Sequence, residues 1–563
     1  MKSDSRAIPT EAESQRTGNS VRLSRWVAIL RLRVGWCELI ILIVVLAMPV
    51  FIYRVNLNPG RLGFFHDDGI YVVTAKALAT GQGYRIISLP EAPAQTKYPP
   101  LYPFLLSLIW RLYPEFPQNV IPMMLLSVAM TVGFLMLAYY YLVQQEYNRR
   151  YTAMLIVLLT ALNVIVVYMA TSLLSEMPFA ALSVGTLWAV EIAAKPRAKL
   201  GWALAAAVGL GLTMLTRQVG IVLIASSFIY LVMRKRYTHL FGMIMVLGMI
   251  MLPWILWCHI QSSLPSPANV AYYTDYTHEF IPMLLDPRLL FNVMFKNAPS
   301  LLTSLSTLFL PALSLQRSAF DLAFTSGAFA LTVTGLIQLL RSGIRLLHLY
   351  VMFYLIVLLL LPFPLYEHYL VPVLPFLLMW FFAGSRQQIN YLQKLWTAKH
   401  RLISMAMLGI SIVLLLVCYT GLFVYNGVFL NKFVRAMKHG GPFTEGLSQE
   451  QPLLSWVRSH TKSTDVLASF YDPVYYLYTG RKAIRLGYQT TMTLRSYREN
   501  DLSLRAEEIW DMLRLNRVSY VIVAPSHPAF KAIKSLAAQY SDQFIQAYAS
   551  PATGAQIYRL KLR

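Results

Sequence analysis

The chain has 563 residues, of which 56% are hydrophobic and only 13% charged, and its mean hydropathy is +0.51. Soluble domains carry roughly twice that charge fraction, so the composition excludes an ordinary soluble protein and predicts a polytopic membrane protein. The formal net charge of +23 does not point to nucleic acid, because Lys and Arg cluster in short loops between apolar runs, as positive-inside topology requires.

Residues 1–35 form a polar arm with Arg16, Arg22, Arg25, Arg31 and Arg33, expected to stay in the cytoplasm. The first apolar run, Trp36–Tyr53, is long enough to span and reads as an uncleaved anchor. It leads into a large outer loop, residues 54–119. Paired acids, Asp67 and Asp68, open the informative part of that loop. A possible short amphipathic helix then runs to Gly81, Gly83 and Tyr84, and the stretch closes on Lys97-Tyr98-Pro99-Pro100. Leu101–Tyr113 is apolar but shorter than the ~17–25 residues of a span and contains Pro103, so it is expected to be interfacial or re-entrant.

Further spans are expected over Val120–Val143, Tyr151–Ala170, Met177–Ala194, Leu200–Thr216, Val219–Met233 and Leu240–Ile260. Leu301–Leu315 lies at the outer interface, and Ala319–Leu340, Leu346–Leu361, Leu370–Ala383 and Leu402–Tyr425 complete the set. This makes about eleven to thirteen spans within residues 36–429. With orientation set by basic residues alone, Asp67, Asp68, Lys97, Glu176, Arg217, His278, Glu367 and His368 all fall on the outer side. Residues 430–563 change composition. Helix-like stretches (Leu453–His460, Leu504–Leu513, Pro528–Gln539) alternate with strand-like runs (Val466–Phe470, Tyr520–Ala524, Phe544–Ala549, Gln556–Leu560), which predicts a small extracytoplasmic α/β domain. It has no phosphate-binding glycine loop, so its expected task is to cover the membrane site or shape the acceptor. Cys37, Cys258 and Cys418 lie in or beside apolar runs, without metal-ligand or disulfide spacing.

Acids at a membrane mouth can deprotonate an acceptor, bind a metal, carry protons or simply be solvated. A carboxylate beside an apolar wall is poised for general-base work, because desolvation raises its pKa toward working pH. Arg217, at the tip of the hairpin Leu215-Thr216-Arg217-Gln218, either snorkels to lipid headgroups or grips a phosphate with its planar fork. Lys97 is a loop lysine or a second phosphate ligand. Glu176 suits a first helical turn as well as a functional role. Glu367 and His368 sit between prolines that break helices at a membrane boundary, where non-helical backbone lines polar cavities. His278, with Asp275 and Glu279, is a loose metal candidate or a solvated loop; a divalent metal is therefore left open.

Several of these residues also carry a resemblance to a known family. Asp67-Asp68-Gly69-Ile70-Tyr71, then Ala75, Leu78 and Gly81-Gln82-Gly83-Tyr84, then Tyr98-Pro99-Pro100-Leu101-Tyr102-Pro103, resemble elements of GT-C-fold, polyprenyl-phosphate-sugar-dependent glycosyltransferases. Ser175-Glu176-Met177-Pro178, Leu215-Thr216-Arg217 and Tyr369-Leu370-Val371-Pro372-Val373-Leu374-Pro375 continue the resemblance in order. The nearest branch is the bacterial one related to aminoarabinose lipid A transferases and protein O-mannosyltransferases. The resemblance implies inverting transfer of a sugar from a polyprenyl-phosphate donor to a hydroxyl of a lipid, glycan or protein acceptor, outside the cytoplasm at the cell (inner) membrane. It makes Asp67 the general base, Asp68 its support and Arg217 or Lys97 the ligand of the leaving phosphate, with Tyr71 and Tyr98 as further cavity residues. Two positions depart from the pattern: Glu367-His368 stand where the family often has a basic residue, and Lys97-Tyr98 does not match the Glu-Lys of the aminoarabinose transferases. The alternative from another class is a polyprenyl-lipid or sugar transporter.

Overall fold

The computed structural model describes residues 36–262, 271–275, 277–309, 319–363, 365–396, 401–439, 445–486, 506–551 and 553–561. The expected N-terminal arm, residues 1–35, lies outside them. Most of the described chain is helical, and the helices run in the order α1 Trp36–Val55, α2 Asp67–Ala79, α3 Leu101–Leu112, α4 Val120–Gln144, α5 Arg150–Leu162, α6 Val164–Ala170, α7 Glu176–Ala193 and α8 Leu200–Met214. Then come α9 Ile221–Met233, α10 Tyr237–Ser262, α11 Ala271–Thr274, α12 Thr277–Leu285, α13 Pro287–Phe309, α14 Ala319–Arg341, α15 Leu346–Leu359, α16 Leu374–Trp396, α17 Arg401–Thr420, α18 Asn426–His439 and α19 Glu445–His460.

Among the described residues, six segments are long and apolar enough to cross a membrane: Glu38–Val55, Val120–Gln144, Tyr237–Ser262, Ala323–Arg341, Glu367–Lys394 and Met407–Ala436. The protein is a multi-pass membrane protein. A seventh span is made if α5 and α6 count as one, although they meet at 66°. The sequence predicts one span there, Tyr151–Ala170. Asn163 breaks it by taking an extended backbone and capping α6 through the N–H groups of Ile165 and Val166, while its own amide donates to Leu308 O at 2.6 Å. Other expected spans fall on shorter apolar helices: Leu200–Met214, Gln218–Met233 and Leu346–Leu359. The stretch expected to be interfacial or re-entrant is α3, whose Tyr102, Leu106 and Trp110 face inward while Phe104, Leu108 and Leu112 remain exposed.

The C-terminal region folds around one mixed sheet, β2-β1-β3-β5-β4. Its strands are β1 Leu467–Ser469, β2 Ala483–Arg485, β3 Tyr520–Val523, β4 Phe544–Ala549 and β5 Gln556–Leu560. The first three are parallel, with β1 between the other two, and β5 joins them antiparallel and pairs with β4 as a hairpin. Helices α20 Asp472–Thr479, α21 Ala506–Leu515 and α22 Phe530–Gln539 flank the sheet. The sequence reading contains neither β2 nor α20. Yet α20 helps dock this region on the first loop, alongside α19, which packs on residues Pro59–Arg61, and Ala483, whose N–H donates to Ser88 O. In α20, Pro473 and Val474 lie where Cβ atoms on Gly69 and Gly63 would stand, at 2.8 Å and 2.1 Å. Gly63 also has φ +92°, so two independent constraints demand glycine there.

Candidate active site

The site begins with a backbone turn. His66 has φ 64° and ψ −49°, and the Asp67 N–H donates to Phe65 O at 2.7 Å, closing a three-residue γ-turn directly before α2. This turn sets Asp67 and Asp68 in the first turn of α2, where the helix dipole favours acids. The expected amphipathic helix is instead buried along most of its length, from Asp68 to Ala77, because α3 packs on one side and α20 on another.

The two acids have different surroundings. Asp68 is 3% exposed and accepts the N–H of Gly63 at 2.8 Å and of Gly69 at 3.0 Å. Burial pushes its pKa up to about 7, opposed by those two N–H donors. Asp67 is half-buried; its Oδ1 accepts the Tyr98 hydroxyl at 2.6 Å, and among the described residues Oδ2 has no hydrogen bond.

Tyr98 connects the acids to the basic residues. Gln218 Nε2 donates to Lys97 O at 2.9 Å, and Leu101 N donates to Leu215 O at 2.9 Å. These bonds tie the Lys97–Leu101 strip to the hairpin bearing Arg217. Arg217 Nη1 meets Glu176 Oε1 at 2.6 Å and Ser175 Oγ at 3.1 Å, and Ser175 Oγ lies 3.0 Å from the Tyr71 hydroxyl. Tyr71 packs edge-on against Tyr98 at 5.2 Å. Arg217 remains firmly charged: burial would lower its pKa, but the Glu176 carboxylate together with Tyr71, Tyr354 and Tyr369 raises it overall. His368 Nε2 stands 3.7 Å from Glu176 Oε1. Glu367, its neighbour, makes no hydrogen bond or ion pair among the described residues. Lys97 is buried; its ammonium donates to Tyr272 O at 2.7 Å and lies 4.5 Å from the Tyr272 ring centre.

The structure therefore gathers Asp67, Tyr98, Tyr71, Arg217, Glu176 and His368 around one corner, with Asp68 behind it and Lys97 beside it. Glu367 adjoins the corner without joining it, and the His278 side chain lies outside the described residues. Among the described residues no three His, Cys, Asp or Glu side chains converge as a metal site. The nearby carboxylates point at protein donors instead: Asp68 at amides, Glu176 at Arg217 and Asp472 at His66 and Tyr273.

Sequence reasoning missed His66, Tyr272, Tyr273, Asp472 and Arg485, which hydrogen-bond to one another in a ring beside Asp67. Asp472-Pro473 with Gly480 eight residues later is a readable helix signature, an acid and proline at the start and a left-handed glycine after the end. No local signal marks Arg485.

Comparison with known proteins adds the following. Residues 97–257 match the model of the family described as dolichyl-phosphate-mannose-protein mannosyltransferase. The structure resembles the Archaeoglobus fulgidus oligosaccharyltransferase tethered to an acceptor peptide, at 11% identity and a TM-score of 0.52 over 94% of this chain and 75% of that one. The apo form of that enzyme gives 11% identity and a TM-score of 0.50, over 93% and 75% of the two chains. ArnT from Cupriavidus metallidurans bound to undecaprenyl phosphate gives 14% identity and a TM-score of 0.49, over 92% and 97%. A comparison with curated protein sequences finds no match. At these identities the likeness concerns the fold, and the fold is GT-C.

Proposed function

We propose that this GT-C chain is a membrane glycosyltransferase that moves a sugar from a polyprenyl-phosphate donor to an acceptor hydroxyl, with Asp67 as general base. The observation that carries this reading is the division of labour between the acids. Asp68 is consumed by backbone amides, whereas Asp67 has one oxygen fixed by Tyr98 and the other with no hydrogen bond among the described residues. A base needs that combination: a fixed orientation and an open lone pair within reach of a hydroxyl.

In a single step the acceptor hydroxyl gives its proton to Asp67 Oδ2 as its oxygen forms a bond to the anomeric carbon. The bond from that carbon to the phosphate oxygen breaks, and the electron pair leaves with polyprenyl phosphate. Single displacement inverts the anomeric centre. Arg217, held by Glu176 and Ser175 through Nη1 alone, keeps its other N–H groups for the departing phosphate. Lys97 adds positive charge from the Tyr98 side. The site faces outward at the cell (inner) membrane, and the C-terminal α/β region covers it from that side.

The test is release of polyprenyl phosphate by the purified protein in liposomes, across a panel of polyprenyl-phosphate hexoses and pentoses with hydroxylated acceptors. Release accompanied by glycosylated acceptor supports the reading. Transbilayer movement of intact donor without bond cleavage would replace it with transport.

A further inference from the structure

We infer that His66 is a positioning residue for Asp67, held in its turn by a ring of hydrogen bonds that the C-terminal region closes. The inference rests on the general-base reading above. His66 occupies a positive-φ γ-turn with a bulky side chain, a conformation that persists only where its surroundings over-determine it. Those surroundings come from three distant parts of the chain. His66 Nε2 lies 2.8 Å from Asp472 Oδ1, and His66 Nδ1 lies 3.4 Å from the Tyr272 hydroxyl. Arg485 Nη1 donates to that hydroxyl at 3.0 Å. The Arg485 N–H donates to the Tyr273 hydroxyl at 2.8 Å, which in turn donates to Asp472 Oδ2 at 2.9 Å.

The proton pattern is self-consistent. Asp472 only accepts, so Nε2 carries the hydrogen, and Nδ1 is left to accept from Tyr272. Burial and the Arg485 charge hold the imidazole below its usual pKa, against the pull of Asp472, which suits this neutral form. Three members of the ring are nearly inaccessible, His66 at 4% exposed, Tyr273 at 3% and Asp472 at 0%, and Tyr272 and Arg485 are half-buried. The ring thus fixes the residue directly before the base. Because the turn also occupies the Asp67 N–H, the direction in which the Asp67 carboxylate leaves the backbone is set by residues that never meet substrate. The C-terminal region then acts on the chemistry by holding a turn.

The experiment uses the full-length protein with polyprenyl-phosphate mannose as donor and undecaprenyl phosphate as binding probe. His66→Ala and Asp472→Asn are each expected to lower kcat at least tenfold, with KM and undecaprenyl phosphate affinity within twofold. The double variant should lose no more than the worse single, because both cut one ring. His66→Gln, which keeps a donor toward Asp472, should recover most of kcat. Hydrogen exchange over residues 63–70 reads the same lock without turnover: faster in His66→Ala and Asp472→Asn, near wild type in His66→Gln. Unchanged kcat and unchanged exchange in both single variants, with Asp67→Asn inactive, overturns the inference and leaves the general base standing. Multiplicative losses in the double variant also overturn it. Full turnover in Asp67→Asn removes the general base, and the positioning role falls with it.

Discussion

Asp68 is a buried carboxyl whose charge the fold resists. Its folded-state pKa of about 7 lies above the 3.8 of an ordinary Asp, so the native state holds a proton that the unfolded chain releases. Its contribution to stability is therefore full below about pH 4 and is lost as the pH rises toward 7. Melting of wild type against Asp68→Asn in detergent checks this: the wild type should lose stability relative to the variant between pH 4 and 7, then run parallel above. Arg217 offers a different separation. Arg217→Ala strands the buried Glu176, and because the guanidinium is 22% exposed we expect a loss of about 2 kcal/mol, below the range for fully buried pairs. Adding Glu176→Gln should restore stability but not affinity for polyprenyl phosphate. Affinity that returns with stability would make Arg217 structural.

At the scale of elements, helix contacts inside the membrane region depend on small residues. Helices α14 and α16 pack closely, and Gly335 and Gly384 mark the contact. A Cβ on Gly335 would stand 1.8 Å from Trp380 O, and one on Gly384 would stand 1.8 Å from Leu331 O. Backbone cannot yield as a flexible side chain can, so Gly335→Val and Gly384→Val should each cost about 3 kcal/mol or more. Thermal unfolding of the purified variants measures it, and wild-type melting would refute the packing. Helix positions were legible in the sequence, because a run such as Val120–Val143 is uniformly apolar and closes on Asn148-Arg149-Arg150. The break at Asn163 was not, since a single polar residue inside an apolar run reads as tolerated until its capping partners are known. Helix α20 and strand β2 were missed for another reason: at eight and three residues they are too short to show a period.

For the whole molecule, the order of motifs along the chain revealed which residues belong together, but not how they are held. Asp67, Arg217 and Glu176 were legible because each borders an apolar run, where a charge stands out. The ring behind His66 was illegible because it joins positions 66, 272, 273, 472 and 485, and no local pattern links them. The same contact predicts that the two regions behave as one body. Gly63→Ala would force a side chain onto Val474 at a φ of +92°, so it should loosen the C-terminal region from the first loop. Limited proteolysis should then cut within residues 445–486 faster than in wild type, and an unchanged rate would mean that the docking does not depend on this contact.

Asp67 is placed to take the acceptor's proton, with Oδ1 fixed by Tyr98. Asp67→Asn keeps the size of the side chain and an oxygen for Tyr98 but cannot accept a proton at working pH. Steady-state release of polyprenyl phosphate should fall by about 10²–10⁴-fold. Affinity for undecaprenyl phosphate should stay within a few-fold of wild type. Turnover within twofold of wild type would contradict the account.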